Sequence, residues 1–304
     1  MSESVLIVGT GALASLFAAR LAAKEISITM LGTWREGLAA LRQHGVMLVH
    51  PDGSQKSFPV FATDDPKECK GAKNALVLVK SWQTPRAAGQ LAKCLAKDGV
   101  ALTLQNGLGN QEALAKECGE ERVALGVTTT GATLLSSGRV RPGGEGVISI
   151  GAHPRVEPLV NLLREAGFNV EVLNDVDTLI WGKLVINAAI NPMTALLRVP
   201  NGELLMRESA RQLSADLARE VAAVAAAQNI QLAFKDPVIA AEKVMEKTAT
   251  NNSSMFQDVQ RGAPTEIDAI CGAVVKVGEQ VGVQTPVNHA LWLLIRALRE
   301  ANRE

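Results

Sequence analysis

The chain has no tyrosine, and six phenylalanines and four tryptophans bring its aromatic content to only 3%. A protein that stacks single-stranded bases needs aromatic platforms and a cationic groove. Neither is present, because 31 lysines and arginines are matched by 31 aspartates and glutamates. Cysteine is also scarce. Cys69, Cys94, Cys118 and Cys271 stand far apart, with none of the paired spacing of a zinc site, a redox motif or a disulfide framework, and they fit reduced thiols in a cytosol. His44, His50, His153 and His289 show no metal-ligand spacing, so no metal is expected. The opening apolar run is short and broken by glycine, unlike a signal peptide or a membrane span. These absences predict a cytoplasmic protein with neither a nucleic-acid nor a membrane partner.

What is present points to a small-molecule enzyme. A chain of 304 residues can bury a large core and form two domains. Val5, Leu6, Ile7 and Val8 read as a buried parallel strand, and a helical pattern follows from Ser15 to Ala22. Between them lies Gly9-Thr10-Gly11-Ala12-Leu13-Ala14. In this strand–turn–helix order Gly9 permits the tight turn, Gly11 lets the backbone approach a pyrophosphate, and Ala14 keeps helix and strand close. The helix N-terminus then offers its unpaired N–H groups to phosphate. A purely structural turn is the competing reading.

The second strand, Ile26 to Leu31, is followed by Gly32, Thr33, Trp34 and Arg35. An NAD site usually places an acid here for the ribose 2′-hydroxyl. Its absence favours NADP, with Thr33 and Arg35 as candidates for the 2′-phosphate, although Arg35 equally suits a solvated helix start. Two further strands end at Lys80 and at Gln105-Asn106-Gly107. Ligands of doubly wound sheets bind beyond such carboxyl ends. Lys80 and Asn106 are therefore candidates, against the plainer roles of a solvated strand end and a turn residue. A stretch at Arg122–Val127, a glycine-rich hairpin-like segment from Gly138 to Gly151 and Val170–Leu173 are expected to complete one mixed sheet.

Beyond residue 174 strand signals give way to helical periodicity. The expected architecture is α/β, with a Rossmann-like doubly wound sheet over 1–173 and an all-α domain over 174–304. In the first of those helices Lys183, Asn187 and Asn191 recur every four residues among Leu184, Val185, Ile186 and Ile190. At 3.6 residues per turn they spread over about 80° of one face and can converge on a single ligand. The bland alternative is a half-exposed face with locally bonded amides. Farther on, Ser254 with Gln257 and Thr265 with Asp268 read as two capping boxes. Glu266 would then lie in the first turn of the last long helix, free to pair with Lys183 as an acid–base couple.

These motifs, in order, resemble the ketopantoate reductases along the whole chain: Gly9-x-Gly11-x-x-Ala14, Lys80 before Ser-Trp-Gln83, Gln105-Asn106-Gly107, Trp181-x-Lys183 with Asn187 and Asn191, Asn251-x-Ser-Ser254-Met, and Thr265-Glu266-Ile-Asp268. The resemblance implies that Lys183 donates the proton to a ketone oxygen and that Glu266 holds the substrate hydroxyl and also counts among the cofactor-binding residues. It further implies that Asn187, Asn191, Asn251 and Ser254 bind substrate, that Asn106 serves both substrate and nicotinamide, and that Lys80 serves the cofactor. The family's arginine often follows the second strand sooner than Arg35 does here.

The implied reaction is NADPH-dependent reduction of a small 2-oxo acid, ketopantoate in the family's case. Three alternatives remain at this point: another branched 2-oxo acid, a hydroxyisobutyrate-type dehydrogenase, and a noncatalytic NADP(H) sensor. The Ser-Ser-Met and Thr-Glu-Ile-Asp segments speak against the second, and the Lys183–Glu266 couple against the third. The apolar helices cover either one another or a second subunit, which leaves a homodimer open.

Overall fold

The computed structural model describes residues 4–301, and the chain divides into two compact units. One takes the chain up to Gln105 together with Asn110–Val176. The other takes Asn106–Gly109 and the chain from Asp177 on.

The first unit is α/β. Its elements in order are β1 (Ser4–Val8), α1 (Ala12–Ala22), β2 (Ser27–Leu31), α2 (Arg35–His44), β3 (Val46–Val49), β4 (Gln55–Phe58), β5 (Phe61–Thr63), β6 (Ala72–Val77), α3 (Thr84–Cys94) and β7 (Leu95–Thr103). They continue with α4 (Asn110–Cys118), β8 (Val123–Thr128), β9 (Gly131–Ser136), β10 (Arg139–Gly144), β11 (Val147–Gly151), α5 (Glu157–Glu165) and β12 (Asn169–Leu173). The large sheet runs β12-β11-β8-β7-β6-β1-β2-β5. From β8 to β5 every pairing is parallel, and β11 joins β8 antiparallel. Strands covered on both faces need unbroken apolar sequence, and Val5 through Val8 are accordingly all buried.

The segment expected to finish one mixed sheet instead serves two. Strands β11 and β12 extend the large sheet, whereas β9 and β10 join β3 and β4 in a separate four-stranded sheet, ordered β4-β3-β10-β9. The cause lies in α1. Ala14, Leu16, Phe17, Ala18, Ala19 and Leu21 are buried around most of its circumference, so one sheet cannot cover it. It touches β1 and β2 of the large sheet and β3, β9 and β10 of the small one. Phe17 stacks on Phe168 at 4.3 Å between centroids, and Arg20, paired with Glu145, lies over the same Phe168 ring.

The second unit is helical among the described residues: α6 (Asp177–Leu197), α7 (Glu208–Ala227), α8 (Pro237–Lys247), α9 (Ser254–Gln260), α10 (Cys271–Val281) and α11 (Pro286–Ala301). Helix α6 is its centre and packs on α7, α8, α9 and α11. Its 21 residues are long and apolar enough to cross a membrane by composition. Here Trp181, Leu184, Val185, Ala188, Ala189 and Ile190 are buried in the unit's own core. Fully burying a Leu, Val or Ile side chain of this kind stabilises by about 1.5–3 kcal/mol. The first turn of α11 is capped from outside, since Glu220 on α7 accepts the backbone N–H groups of Val287 and Asn288 at 2.8 Å.

Candidate active site

In the first unit the glycine turn has the geometry of an anion cradle. Gly9 sits at φ +134°, its N–H donates to the Leu31 carbonyl, and a Cβ there would stand 3.0 Å from the Leu78 carbonyl oxygen. Gly11 is the N-cap of α1, with no capping side chain and no acid in the first turn. A Cβ on Gly11 would meet nothing within 4 Å. The helix therefore presents uncapped N–H groups to open space, which suits a pyrophosphate. Ala14 is fully buried, and Thr10 occupies the space that a side chain on Gly32 would need. Ala12 and Leu13, half-buried, complete the first turn.

Thr33, Trp34 and Arg35 follow β2 and are exposed, with Arg35 opening α2. Lys80 is half-buried and begins a short 3-10 turn, where the Gln83 side chain accepts its backbone N–H. Gln105 has a role that sequence reasoning missed. Its Nε2 donates to the Val79 carbonyl at 2.9 Å and to Thr84 Oγ1 at 2.8 Å, while Thr103 Oγ1 donates to its Oε1. Thr84 Oγ1 donates onward to Asn110 Oδ1. The two strand ends that carry Lys80 and Gln105 are thus tied together by amides and hydroxyls.

In the second unit Lys183, Asn187 and Asn191 all lie on α6, the first two half-buried and the third 6% exposed. Pro192 follows at once and has no N–H, so the Ala188 carbonyl lacks its usual intrahelical donor. Glu266 is 5% exposed. Its Oε2 accepts from Asn106 Nδ2 at 3.2 Å. Burial pushes the Lys183 ammonium down to about 8, and the nearby Glu266 carboxylate opposes that shift. A lysine so placed can exchange a proton near neutral pH.

Glu266 is not in a helix. Residues 266–270 form a turn, and α10 starts only at Cys271. The Ala269 carbonyl, which a helix would give to its own backbone, instead accepts from Leu108 N–H at 2.9 Å. Nor does Thr265 form the expected box with Asp268, whose carboxylate accepts from Trp292 Nε1 at 2.7 Å. Gly107, at φ +82°, makes this docking possible. A Cβ there would be 2.3 Å from the Ala269 oxygen.

The other expected box is also replaced. Ser253, not Ser254, is the N-cap of α9 and accepts the Phe256 N–H, while Gln257 Nε2 donates to the Asn252 carbonyl. That leaves the neighbouring Ser254, like Asn251, exposed. The Asn251 segment is held from behind, its carbonyl accepting from Asn201 N–H and that of Ala249 from Gly202 N–H. The helical unit therefore brings together the Lys183 ammonium, the buried Glu266 carboxylate and the Asn106 amide, while Asn187 and Asn191 share α6 with Lys183.

A Rossmann-like sheet with an open glycine turn, accompanied by a helical unit bearing such a lysine, is the architecture of a nicotinamide-dependent oxidoreductase. Residues 5–155 match the description "Ketopantoate reductase PanE/ApbA", and residues 175–299 match its C-terminal part. The chain belongs to the ketopantoate reductase family, whose members are NAD(P)-dependent reductases of small 2-oxo acids. A 2-dehydropantoate 2-reductase of Archaeoglobus fulgidus is 38% identical over 97% of this chain and 98% of its own. The crystal structure of a PanE/ApbA family ketopantoate reductase from Ralstonia eutropha superposes with a TM-score of 0.92 at 29% identity, covering 99% of this chain and 100% of that one. A D-mandelate dehydrogenase in a ternary complex with NADH and anilino(oxo)acetate shares the fold, with a TM-score of 0.91, 24% identity and 98% of each chain covered.

Proposed function

We propose that this protein reduces 2-dehydropantoate to (R)-pantoate with NADPH, in the cytoplasm, for pantothenate and coenzyme A synthesis. The observation that carries the reading is the placement of Lys183 beside the Glu266 carboxylate that Asn106 holds, with burial pushing the Lys183 ammonium down to about 8. When bound, the reduced nicotinamide supplies the hydride. Negative charge then grows on the ketone oxygen of the substrate, and the Lys183 ammonium stabilises it and delivers the proton.

Glu266, oriented by Asn106, accepts the substrate's hydroxyl proton in a hydrogen bond. Asn187, Asn191, Asn251 and Ser254 hold the carboxylate and the remaining polar groups, so that the reaction is effectively unimolecular. On the cofactor side Gly9 to Ala14 cradle the pyrophosphate, Lys80 assists, and Thr33 with Arg35 receives the 2′-phosphate. A division of labour follows, with cofactor binding in the chain up to about residue 173 and substrate chemistry in the helical part.

The test is NADPH oxidation by the purified protein with 2-dehydropantoate, run beside 2-oxoisovalerate and 2-oxoisocaproate and repeated with NADH. Turnover confined to 2-dehydropantoate and NADPH is expected. A preference for a simpler acid overturns the substrate, and equal use of NADH overturns the NADP preference.

A further inference from the structure

Two buried hydroxyls that the reaction does not use join α6 to the start of α9. Thr194 is fully buried and Ser253 is 6% exposed, and their hydroxyl oxygens are 2.7 Å apart. Thr194 Oγ1 also lies 2.9 Å from the Ile190 carbonyl oxygen and 3.1 Å from that of Asn191. Carbonyls only accept, and Thr194 has one proton, which it gives to its own helix. Ser253 must then donate to Thr194 Oγ1, while its own oxygen accepts the Phe256 N–H at 3.1 Å. The chain of bonds thus has one direction: Phe256 N–H to Ser253, Ser253 to Thr194, Thr194 to the α6 backbone.

Both ends of this chain adjoin the groups assigned to substrate. The α6 carbonyls that receive it are those of Ile190 and Asn191, in a turn where Pro192 withholds a helical N–H. At the other end Ser253 immediately precedes Ser254 and lies two residues after Asn251. We propose that the Thr194–Ser253 hydroxyl pair is a positioning device that holds Ser254 and Asn251 in register with Asn191 and Asn187. Its role is to set substrate affinity, and it takes no part in proton transfer. The assignment rests on the reading of the site as that of a 2-oxo acid reductase. Its physical basis is that a hydrogen-bonded pair buried in the core has one geometry, whereas the exposed residues it carries would otherwise sample several.

The experiment compares Thr194→Val, Ser253→Ala, their double variant and Thr194→Ser. Thr194→Val and Ser253→Ala are each expected to raise the KM for 2-dehydropantoate about 10-fold, the scale of one lost polar interaction. Their kcat and KM for NADPH should stay within about twofold, since neither group touches the chemistry or the cofactor. The double variant should be no worse than the poorer single one, because either change already breaks the link. Thr194→Ser keeps the hydroxyl and should restore the KM.

A lowered melting temperature with unchanged substrate KM would mean a purely structural pair and overturn the role, as would additive effects or no rescue by serine. Should Thr194→Val fail to fold, Ser253→Ala is decided by the same split between KM and melting. Absence of wild-type turnover on all the oxo acids, with NADPH binding intact, overturns the reductase reading and this role with it. Wild-type turnover with indifferent variants overturns this role alone.

Discussion

Asn106 Nδ2 donates to Glu266 Oε2 at 3.2 Å, joining residues 160 apart in the chain, and the carboxylate so oriented is also the charge that opposes the lowering of the Lys183 pKa. The alkaline behaviour of the enzyme follows from that relationship. Lys183 donates only while protonated, so kcat/KM for reduction should fall as pH rises through about 8. Glu266→Gln removes the charge that supports the ammonium, and the alkaline limb should move to lower pH. A limb that stays put in Glu266→Gln would separate the two groups.

The same shift has a consequence for stability, with the opposite sign from an ordinary ion pair. The folded pKa of Lys183 lies below the ordinary value of 10.5, so between about 8 and 10.5 the unfolded chain binds more protons. The Lys183 contribution should therefore stabilise the fold progressively as pH rises through that window and be flat below it. Denaturant titrations of the wild type and Lys183→Met across the window, taken as a difference, isolate it.

Lys183→Ala should lower kcat by about 10²–10⁴-fold, the usual worth of a positioned proton donor. NADPH affinity, measured by fluorescence titration, should change less than about twofold. Comparable loss of both would place Lys183 in cofactor binding.

The glycine turn separates room for a ligand from room for the fold. Gly11→Ala adds a methyl into open space, so its melting temperature should match the wild type while NADPH affinity falls at least about 10-fold. Gly9→Ala meets the Leu78 carbonyl at an unfavourable φ and should destabilise by about 1–3 kcal/mol. Calorimetry with and without NADPH reads both effects.

Gly107→Ala should act on the fold and the chemistry together. Its methyl would drive into the Ala269 carbonyl, displacing the turn that carries Glu266. A loss of about 1–3 kcal/mol and a reduced kcat are expected, with NADPH binding retained. Unchanged kcat would show that the turn tolerates the shift.

The legible parts of the chain were those written in local pattern. Val5 to Ala14 state strand, turn and helix in ten residues, because each step is governed by neighbours only. The four-residue spacing of Lys183, Asn187 and Asn191 puts three polar groups on one helix face whatever packs around it. Less legible were the positions where a distant segment took over a backbone group. Thr265 to Asp268 carry every local sign of a helix start, yet the Ala269 carbonyl is given to Leu108 and the Asp268 carboxylate to Trp292. Ser254 has the local signs of a cap, yet Ser253 takes that place beside the buried hydroxyl of Thr194.

The α/β order, the glycine turn and the polar face of α6 are written in local pattern, since 2.0- and 3.6-residue periodicities are properties of the chain alone. That β9 and β10 leave the large sheet to cover α1 is a matter of packing in three dimensions, because covering both sides of a helix apolar on nearly all faces requires strands from far along the chain. The same packing decides how Asn106 meets Glu266 and why the Lys183 pKa falls. Burial and Coulomb energy depend on what surrounds a group in space, and neighbours in sequence do not specify that.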